Sequence, residues 1–239
     1  MLQKYWAVSA TGVLHVGAHK AEESVGYDEA GWGHVYWVEA QPNMVSELRS
    51  QLNISRNTVI ELAAWDSEIA SMTLHVTNNS ESTSLLEMGT HRVHYPHISV
   101  MQEVKVRAGR LDKHLPKGAN FDFVNLDIQG AELQALKGLE EYMPQVQWIY
   151  SEINFEDLYV GGTTIYALDD FLKRAGFVMV ARMRVPKVGW GDGLWIRKEI
   201  RTNRFKSLLG RSHLRLIYLY RAARSGLKFV IRQLKNWAS

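Results

Sequence analysis

Two carboxylates follow apolar runs of the kind that form buried strands. Glu39 comes near the end of the run VYWVEA, and Asp127 ends the run FDFVNLD. The carboxyl ends of parallel strands meet at one edge of a sheet, where open α/β sheets bind ligands. There Glu39 can accept hydrogen bonds from both hydroxyls of a ribose, and Asp127 can receive a proton, hold an amino group or bind a metal. Asp127 could instead only cap a helix, because acidic residues favour helix N-termini.

Gly17 ends an earlier apolar run, upstream of Glu39. A small residue at such a turn lets a ligand approach the backbone, so the segment predicts a β-α-β unit with a nucleotide-sized pocket. The three-glycine pyrophosphate fingerprint is missing, because Ala18, His19 and Lys20 follow Gly17. We therefore expect a nucleoside ligand without a diphosphate, such as S-adenosylmethionine.

A hydroxyl that accepts a methyl group must lose its proton to a base, and three residues could supply that base. Asp127 and His19 are two candidates, and Glu152 is a third because it would reach the same sheet edge from the next strand. Asp127 and Glu152 could instead bind a divalent cation, which would lower the pKa of the hydroxyl. The favoured interpretation is a polar pocket without a metal.

The region 77–103 has no sustained hydrophobic period, and we predict an insertion or lid there. Three of its residues are expected near the cofactor: Ser82, Thr83 and Ser84. Three histidines recur at every third position: His91, His94 and His97. Such spacing on a helix could indicate zinc, but Pro96 breaks the period and no acidic or cysteine partners are nearby. A lid that contacts a polar acceptor is the favoured interpretation.

Two further segments could contact the acceptor. Tyr159 and Gly161 precede a predicted helix, where they form either an acceptor loop or a simple turn. Trp190 stands in the loop PKVGWGD between the last two predicted strands. An exposed indole at that place could stack on a sugar ring.

Strand-like and helix-like runs alternate along the chain and must position these residues. The predicted strands are 13–17, 35–40, 58–65, 72–76, 104–111, 121–127, 146–154, 177–185 and 193–197. The predicted helices are 43–52, with Asn43 as a possible N-cap, 131–139 and 165–175. The last two strands would form an antiparallel pair. The pattern predicts an α/β fold with a doubly wound, mostly parallel sheet and a reversed edge.

The composition bounds the class of protein. With 239 residues the chain fits one catalytic domain over residues 1–200 and an appended tail. The absence of cysteine excludes disulfides, thiolate metal ligands and a cysteine nucleophile. The chain shows no signal-like N-terminal segment and no run of ~20 apolar residues. We therefore expect a cytoplasmic protein without a membrane-spanning helix.

Residues 201–239 form a basic tail with ten basic and no acidic residues, whereas the first 200 residues hold 18 basic against 25 acidic ones. Apolar residues recur in the tail at helical spacing. This combination predicts an amphipathic helix on an anionic membrane surface, at the inner face of the membrane. A helical hairpin packed on the domain, or on a second subunit of a homo-oligomer, would give the same pattern. No aromatic RNA-binding motif accompanies the charges, so we expect no nucleic-acid partner.

Six short motifs occur in a fixed order: VGAHKAEE, VEAQP, AAWD, RLD, NLDIQGAELQALKG and SEI. In their order and spacing over residues 13–197 they resemble the FkbM family of S-adenosylmethionine-dependent methyltransferases. The resemblance implies a Rossmann-like class I methyltransferase fold with a seven-stranded sheet. It also implies O-methylation of hydroxyls on natural products and glycans. The basic tail lies outside these motifs.

The resemblance implies roles for individual residues as well. Those expected at the cofactor turn and the methionine end are Gly17, Ala18, His19 and Glu22. Those expected around the ribose and the adenine are Glu39, Ala64, Trp65 and Asp66. Those expected to face the reacting centre are Asp127 and Gln129. Beside an adenine, an indole offers a stacking face and a carboxylate accepts from the exocyclic amine.

The sequence therefore predicts methyl transfer from S-adenosylmethionine to a hydroxyl. A sugar or glycan, which a membrane-bound tail would allow to be lipid-linked, is the expected acceptor. A polyketide or other small metabolite is the alternative acceptor. A nucleoside-binding or membrane-adaptor module without turnover is the alternative from another class of protein.

Overall fold

The computed structural model describes residues 8–185 and 188–200. The strands are β1 Gly12–Val16, β2 His34–Glu39, β3 Asn57–Glu61, β4 Ala63–Ala64, β5 Ile69–Thr77, β6 Val100–Gly109, β7 Phe123–Leu126, β8 Trp148–Asn154, β9 Phe177–Arg184 and β10 Trp190–Arg197. The α-helices are α1 Ser24–Glu29, α2 Pro42–Gln51, α3 His91–His94, α4 Leu111–His114, α5 Glu132–Lys137 and α6 Ile165–Arg174. Short 3₁₀ turns span Ser80–Ser82 and Glu140–Gln145. The predicted tail helix lies outside the described residues.

Seven strands form the central sheet, in the order β3-β2-β1-β7-β8-β10-β9. All neighbouring pairs from β3 to β8 are parallel, and β10 runs antiparallel to both β8 and β9. The predicted fold class, a mostly parallel sheet with one reversed strand toward one edge, is confirmed, and the reversed strand β10 lies just inside the edge strand β9. The chain first adds strands on one side of β1 and later, from β7 onward, on the other side. The strand order therefore reverses between β1 and β7, which is where open α/β sheets bind ligands.

Apolar side chains cover both faces of the sheet, as its parallel strands require. Leu14 and Val16 of β1 point into one core, together with α5 and α6. Val13 of the same strand points into the other core, where Trp37 is fully buried. The alternation along β1 shows why this strand reads as a continuous apolar run: neither of its faces meets water.

The predicted strand 58–65 is wrong in one respect, because the chain leaves the central sheet before its end. The Leu62 N–H donates to the Glu39 carbonyl at 2.9 Å, and Leu62 is buried. Ala63 and Ala64 then pair with the end of β6 in a second sheet, of order β4-β6-β5. The long antiparallel pair β5 and β6 therefore carries the predicted lid between its two strands.

Three local predictions need correction. Asn43 does not cap α2, because Pro42 already occupies the first turn and Gln41 is the capping residue. The predicted lid 77–103 ends earlier, since β6 begins at Val100, and it holds a 3₁₀ turn and α3. Trp190 begins β10 and is not in a loop. No helix in the described part of the chain is long and apolar enough to cross a membrane.

Candidate functional site

A cavity of about 1210 Å³ opens at the carboxyl ends of the central strands. Its walls come from the turn after β1, the end of β2, the turn after β7 and β8, and the β5–β6 insertion covers it. It gathers most of the predicted site residues, namely Gly17, Ala18, His19, Glu22, Glu39, Ala64, Ser84, Asp127, Gln129, Glu152, Tyr159 and Trp190. The structure therefore brings together predicted site residues from eight separate segments of the chain.

The turn after β1 is built on a glycine in the left-handed region. Gly17 has φ +88°, and a Cβ there would lie 1.9 Å from the backbone oxygen of Asp127. The N–H groups of Gly17 and Ala18 both donate to the Val38 carbonyl, at 2.9 and 3.0 Å. The β1 turn is thereby held against β2 and β7, and its backbone forms the floor of the cavity.

Glu39 is fixed by the backbone on both sides of its carboxylate. Its Oε2 accepts from the His19 N–H at 2.9 Å, and its Oε1 accepts from the Gln41 N–H at 2.8 Å. Burial raises the pKa of Glu39, and these backbone donors partly oppose that rise. Each carboxylate oxygen has a second lone pair, so the oriented group can still accept hydrogen bonds from a ligand.

His19 joins the β1 turn to the lid. Its Nδ1 lies 2.8 Å from Glu22 Oε1, and its Nε2 lies 2.8 Å from Ser80 Oγ. His19 itself has φ +47°, which turns its backbone N–H toward Glu39. The backbone N–H and both ring nitrogens of His19 therefore have protein partners in this structure.

Asp127 and Glu152 share one amide. The Gln129 side-chain nitrogen donates to Asp127 Oδ1 at 2.7 Å and to Glu152 Oε2 at 3.1 Å. Burial raises the pKa of Asp127, and burial together with the charge of Asp127 raises the pKa of Glu152 well above its ordinary value. The Asp127 side chain is still reached by solvent from the cavity. Two carboxylates this close hold a shared proton more readily than two full charges.

Gln129 is itself held in place from two directions. Tyr159, which is 1% exposed, donates its hydroxyl to Gln129 Oε1 at 2.6 Å. Ser84 of the lid donates its hydroxyl to the Gln129 carbonyl at 2.9 Å. Gln129 has φ +54°, a left-handed conformation that is uncommon for a residue other than glycine. Tyr159 therefore orients the amide so that its nitrogen faces both carboxylates.

A buried carboxyl group lies just behind this turn. Glu132 Oε1 accepts from the Gly130 N–H at 3.0 Å, and the side chain is almost fully buried. Burial raises the pKa of Glu132 to about 7, and the charge of Asp127 adds to the rise. Glu132 does not line the cavity and acts on the turn through the backbone of Gly130.

Aromatic side chains form the wall on the β10 side. Trp190 donates its indole N–H to the Tyr95 hydroxyl at 2.9 Å. The His91 ring packs against Tyr95 and Tyr159, with ring centroids 4.9 and 5.5 Å apart. The three predicted acceptor residues differ in position, because Tyr159 and Trp190 line the cavity and Gly161 lies outside it on an open turn.

The predicted adenine border is only partly at the cavity. Ala63 and Ala64 line it, whereas Trp65 and Asp66 do not. The Trp65 N–H donates to the Gly109 carbonyl at 2.9 Å, and the Asp66 carbonyl accepts from Arg110. The early exit of the chain at Leu62 separates Trp65 and Asp66 from the end of β3.

The predicted alternative of a divalent cation has no support in the described residues. They contain no group of three His, Cys, Asp or Glu side chains that could hold a metal ion. Within this part of the chain, His94 pairs instead with Glu156 at 3.0 Å, and His91 is buried against tyrosine rings. The two carboxylates Asp127 and Glu152 are bridged by an amide, as described above.

Sequence reasoning missed part of the cavity wall. The seven carboxyl groups that line it belong to Glu22, Glu23, Glu39, Glu81, Asp127, Glu152 and Asp192. Asp192 was missed because the predicted last strand begins at 193, whereas β10 begins at Trp190 and places Asp192 opposite Glu152 of β8. Glu81 and Tyr95 carried no signal, since they belong to an insertion without a hydrophobic period.

Two solved structures resemble the fold at low identity. One is the 1,6-didemethyltoxoflavin-N1-methyltransferase of Burkholderia thailandensis with bound S-adenosylhomocysteine, at 14% identity and TM-score 0.47, over 83% of this chain and 75% of that chain. The other is the magnesium protoporphyrin IX methyltransferase of Synechocystis with bound S-adenosylmethionine, at 11% identity and TM-score 0.44, over 78% and 69%. At these identities and TM-scores, both structures are only distantly similar to this chain in fold.

Comparison of sequences gives one match. No curated protein matches the chain. A family model described as the methyltransferase FkbM domain matches residues 15–179. The matched stretch includes the β1 turn, Glu39, Asp127 and Glu152, and it ends before Trp190.

Proposed function

The chain belongs to the FkbM family of methyltransferases, and from this premise we propose that it transfers a methyl group from S-adenosylmethionine to a hydroxyl of a sugar or glycan. That the protein is an S-adenosylmethionine-dependent methyltransferase follows from the family. The hydroxyl acceptor and its chemical class are the proposal. The Asp127–Gln129–Glu152 arrangement is the single observation that carries it.

The residues at the β1 turn fit the cofactor. Glu39 presents both carboxylate oxygens, already oriented by backbone N–H groups, at the place where a ribose diol would be held. The turn at Gly17 and Ala18 brings bare backbone to the cavity floor without a glycine-rich phosphate loop. Ala63 and Ala64 supply a small apolar wall for an adenine ring. A nucleoside without a diphosphate satisfies this donor and acceptor set.

Bound S-adenosylmethionine would supply a methyl group on a sulfonium sulfur, which keeps the electrons of the broken S–C bond while the acceptor oxygen forms the new O–C bond. The chain must then take the hydroxyl proton. Asp127 and Glu152 can do so, because burial raises the pKa of both carboxyl groups toward the range of a useful general base. The Gln129 amide would orient whichever carboxylate is ionised.

Aromatic groups beside the carboxylates favour a sugar ring as acceptor. Trp190 and Tyr95 are joined by a hydrogen bond and both line the cavity. An aromatic face packs against the C–H face of a sugar, while neighbouring polar groups bond its hydroxyls. A polyketide or other small metabolite remains the alternative acceptor, and a module that binds the nucleoside without turnover is the alternative from another class.

The first experiment is calorimetric titration of the purified full chain with S-adenosylhomocysteine. We expect micromolar binding by the wild type and loss of most of that affinity in Glu39→Ala, because the ribose would lose its two acceptors. Glu61→Ala is the matched control, since Glu61 ends the neighbouring strand β3 in register with Glu39 but does not line the cavity.

The acceptor is then sought by supplying labelled S-adenosylmethionine with glycans, free sugars and polyketides in turn. Transfer to a sugar hydroxyl that is lost in Asp127→Asn or Glu152→Gln, with S-adenosylhomocysteine binding kept, would support the proposal. Transfer only to a nitrogen, or only to a polyketide, would contradict it. Binding without transfer to any hydroxyl would favour the non-catalytic module.

A further inference from the structure

The charged side chains that line the cavity are predominantly acidic. Seven carboxyl groups line it, and no lysine or arginine among residues 8–185 and 188–200 does so. The first 200 residues hold 25 acidic against 18 basic residues, an excess of seven. The seven cavity carboxyl groups equal that excess in number, so the acidity of this part of the chain is concentrated at the cavity.

Five histidines also line the cavity: His15, His19, His91, His94 and His97. Burial lowers the pKa of His15 to about 3 and also lowers the pKa of His91, which disfavours a positive charge on both. His19 hydrogen-bonds to Glu22 within the same wall, at 2.8 Å. His94 hydrogen-bonds to Glu156. The rings of His19 and His94 are thus already hydrogen-bonded to carboxylates of this chain.

The carboxyl groups are arranged around the reacting end and the lid. Glu152 faces Asp192 across the β8–β10 pair, and Asp127 lies on the neighbouring strand end. Glu81 lies on the lid, and its charge contributes to the raised pKa of Asp127. Glu23, after the β1 turn, is influenced by Asp127 in the same way. These mutual influences mean that the groups act on one shared volume.

We infer that this cavity selects an acceptor that is uncharged or cationic where it reacts, such as a neutral or amino sugar, and excludes acidic sugars and sugar phosphates. The inference rests on the proposed function, because it concerns the acceptor of the same site. Its reason is electrostatic: in a cleft walled by protein, a carboxylate or phosphate would be repelled by several groups at once, and no lysine or arginine of the described residues lines the cleft to bind it.

The electrostatic effect of the cavity carboxylates on a bound charge can be measured without knowing the acceptor. S-adenosylmethionine and its analogue sinefungin carry a positive charge at the transferring position, whereas S-adenosylhomocysteine carries none there. We expect sinefungin to bind the full chain about tenfold more tightly than S-adenosylhomocysteine at about pH 8 and low ionic strength. Added salt should reduce that ratio, because it screens the field.

Two variants test whether the cavity carboxylates cause the preference. Glu81→Gln and Glu23→Gln each remove a charge without removing a predicted cofactor contact, and we expect each to lower the affinity ratio about threefold. Glu47→Gln is the matched control, because Glu47 is exposed on α2 and does not line the cavity. It should leave the ratio unchanged. The full chain is used throughout, so Lys187 and the basic tail, which lie outside the described residues, contribute as they do naturally.

A second measurement addresses the acceptor directly. Labelled methyl transfer is compared for a hexopyranoside and its amino, carboxylate and phosphate counterparts. Faster transfer to the neutral or amino member supports the inference, and equal or faster transfer to an anionic member overturns it. An affinity ratio near one, or one that Glu81→Gln and Glu23→Gln leave unchanged, also overturns it while the proposed function stands. Failure of every analogue to bind would overturn both.

Discussion

Gly17 occupies a position that no other residue can fill without moving the backbone. Its φ of +88° already disfavours any side chain, and a Cβ would overlap the Asp127 carbonyl oxygen. The β1 and β7 strand ends can approach this closely only because the side chain is missing. The spacing between these two strand ends beside the cavity therefore depends on the absence of a side chain at Gly17.

We expect Gly17→Ala to lower the free energy of unfolding by about 2–4 kcal/mol, because it adds both backbone strain and a clash. Cofactor binding should be lost with it. Gly118→Ala is the matched control, since Gly118 has φ +77° and open space around its Cβ position. It should cost only about 1 kcal/mol. Urea unfolding of both variants measures the difference, and equal costs would show that crowding at Asp127 is unimportant.

Glu132 should make stability depend on pH. Its pKa rises from 4.5 when unfolded to about 7 when folded, mainly because of burial. A carboxyl group with a raised pKa contributes stability fully below the lower value and loses it as the pH rises through the higher one. We therefore expect stability to fall between about pH 5 and 8, by about 2–3 kcal/mol from this group alone.

Glu132→Gln tests that expectation, because the amide oxygen can still accept from the Gly130 N–H. The variant should lose about 2–3 kcal/mol less than the wild type between the two pH values, whatever its stability at one of them. Urea unfolding at both pH values gives the comparison, and Glu87→Gln on the exposed surface is the control. Parallel pH profiles for wild type and Glu132→Gln would refute a buried, raised-pKa carboxyl at this position.

At the scale of elements, the central sheet could be predicted because its signals are local. β1, β2, β7 and β8 are mostly apolar runs that end at a glycine or a polar residue, so their positions and the shared sheet edge follow from the pattern. The exit at Leu62 could not be predicted in this way. The run 58–65 is mostly apolar, with Thr58 and Glu61 as its polar residues, and only the Leu62 bond to Glu39 and the pairing of Ala63 with β6 divide it between two sheets.

The candidate site likewise contains residues that local sequence signals could predict and residues that they could not. Gly17 and Asp127 follow strands, whereas Glu39 ends β2 and Glu152 lies near the end of β8, and all four positions could be inferred from strand order. Glu81 and Tyr95 reach the cavity through an insertion whose path depends on long-range pairing of β5 with β6. A single sequence contains no local signal for such pairing, because it depends on residues far apart in the chain.

The lid should control how long the cofactor stays. Its 3₁₀ turn is joined to the β1 turn by the bond between Ser80 Oγ and His19 Nε2. A hydrogen bond of this kind contributes about 1 kcal/mol, so we expect Ser80→Ala to speed dissociation of S-adenosylhomocysteine about fivefold. Association should change little. Stopped-flow binding measures both rates, and Ser55→Ala, on the exposed turn before β3, is the control. An unchanged dissociation rate would show that this bond does not hold the lid.

At the scale of the whole molecule, charge is divided between two parts of the chain. The first 200 residues hold an excess of acidic residues, which includes the cavity carboxylates, and residues 201–239 hold ten basic residues and no acidic ones. A protein with one evenly charged surface would not need its acidic and basic residues to be concentrated in different parts of the chain. The division is that expected of a catalytic body that works beside an anionic surface to which its tail binds.

We therefore expect the full chain to bind vesicles that contain phosphatidylglycerol and not to bind vesicles of phosphatidylcholine alone. Each Lys or Arg near an anionic surface contributes about 1 kcal/mol. Reversal of three tail charges, in Arg221→Glu, Arg224→Glu and Lys228→Glu together, should weaken binding at least about hundredfold. Reversal of three basic residues of the body, in Lys105→Glu, Arg107→Glu and Lys117→Glu, is the matched control and should change it little. Vesicle co-sedimentation measures both.

The two triple variants distinguish an effect of the tail itself from an effect of net charge, because each changes the formal charge of the chain by the same amount. If the tail packs on the domain or on a second copy of the chain, its reversal should instead lower the unfolding temperature or change the sedimentation coefficient, with vesicle binding unaffected. If both triple variants lose binding equally, long-range charge and not a tail helix attracts the membrane. Loss confined to the tail variant, with cofactor affinity kept, would place the acidic cavity beside the membrane and support a lipid-linked acceptor that is uncharged where it reacts.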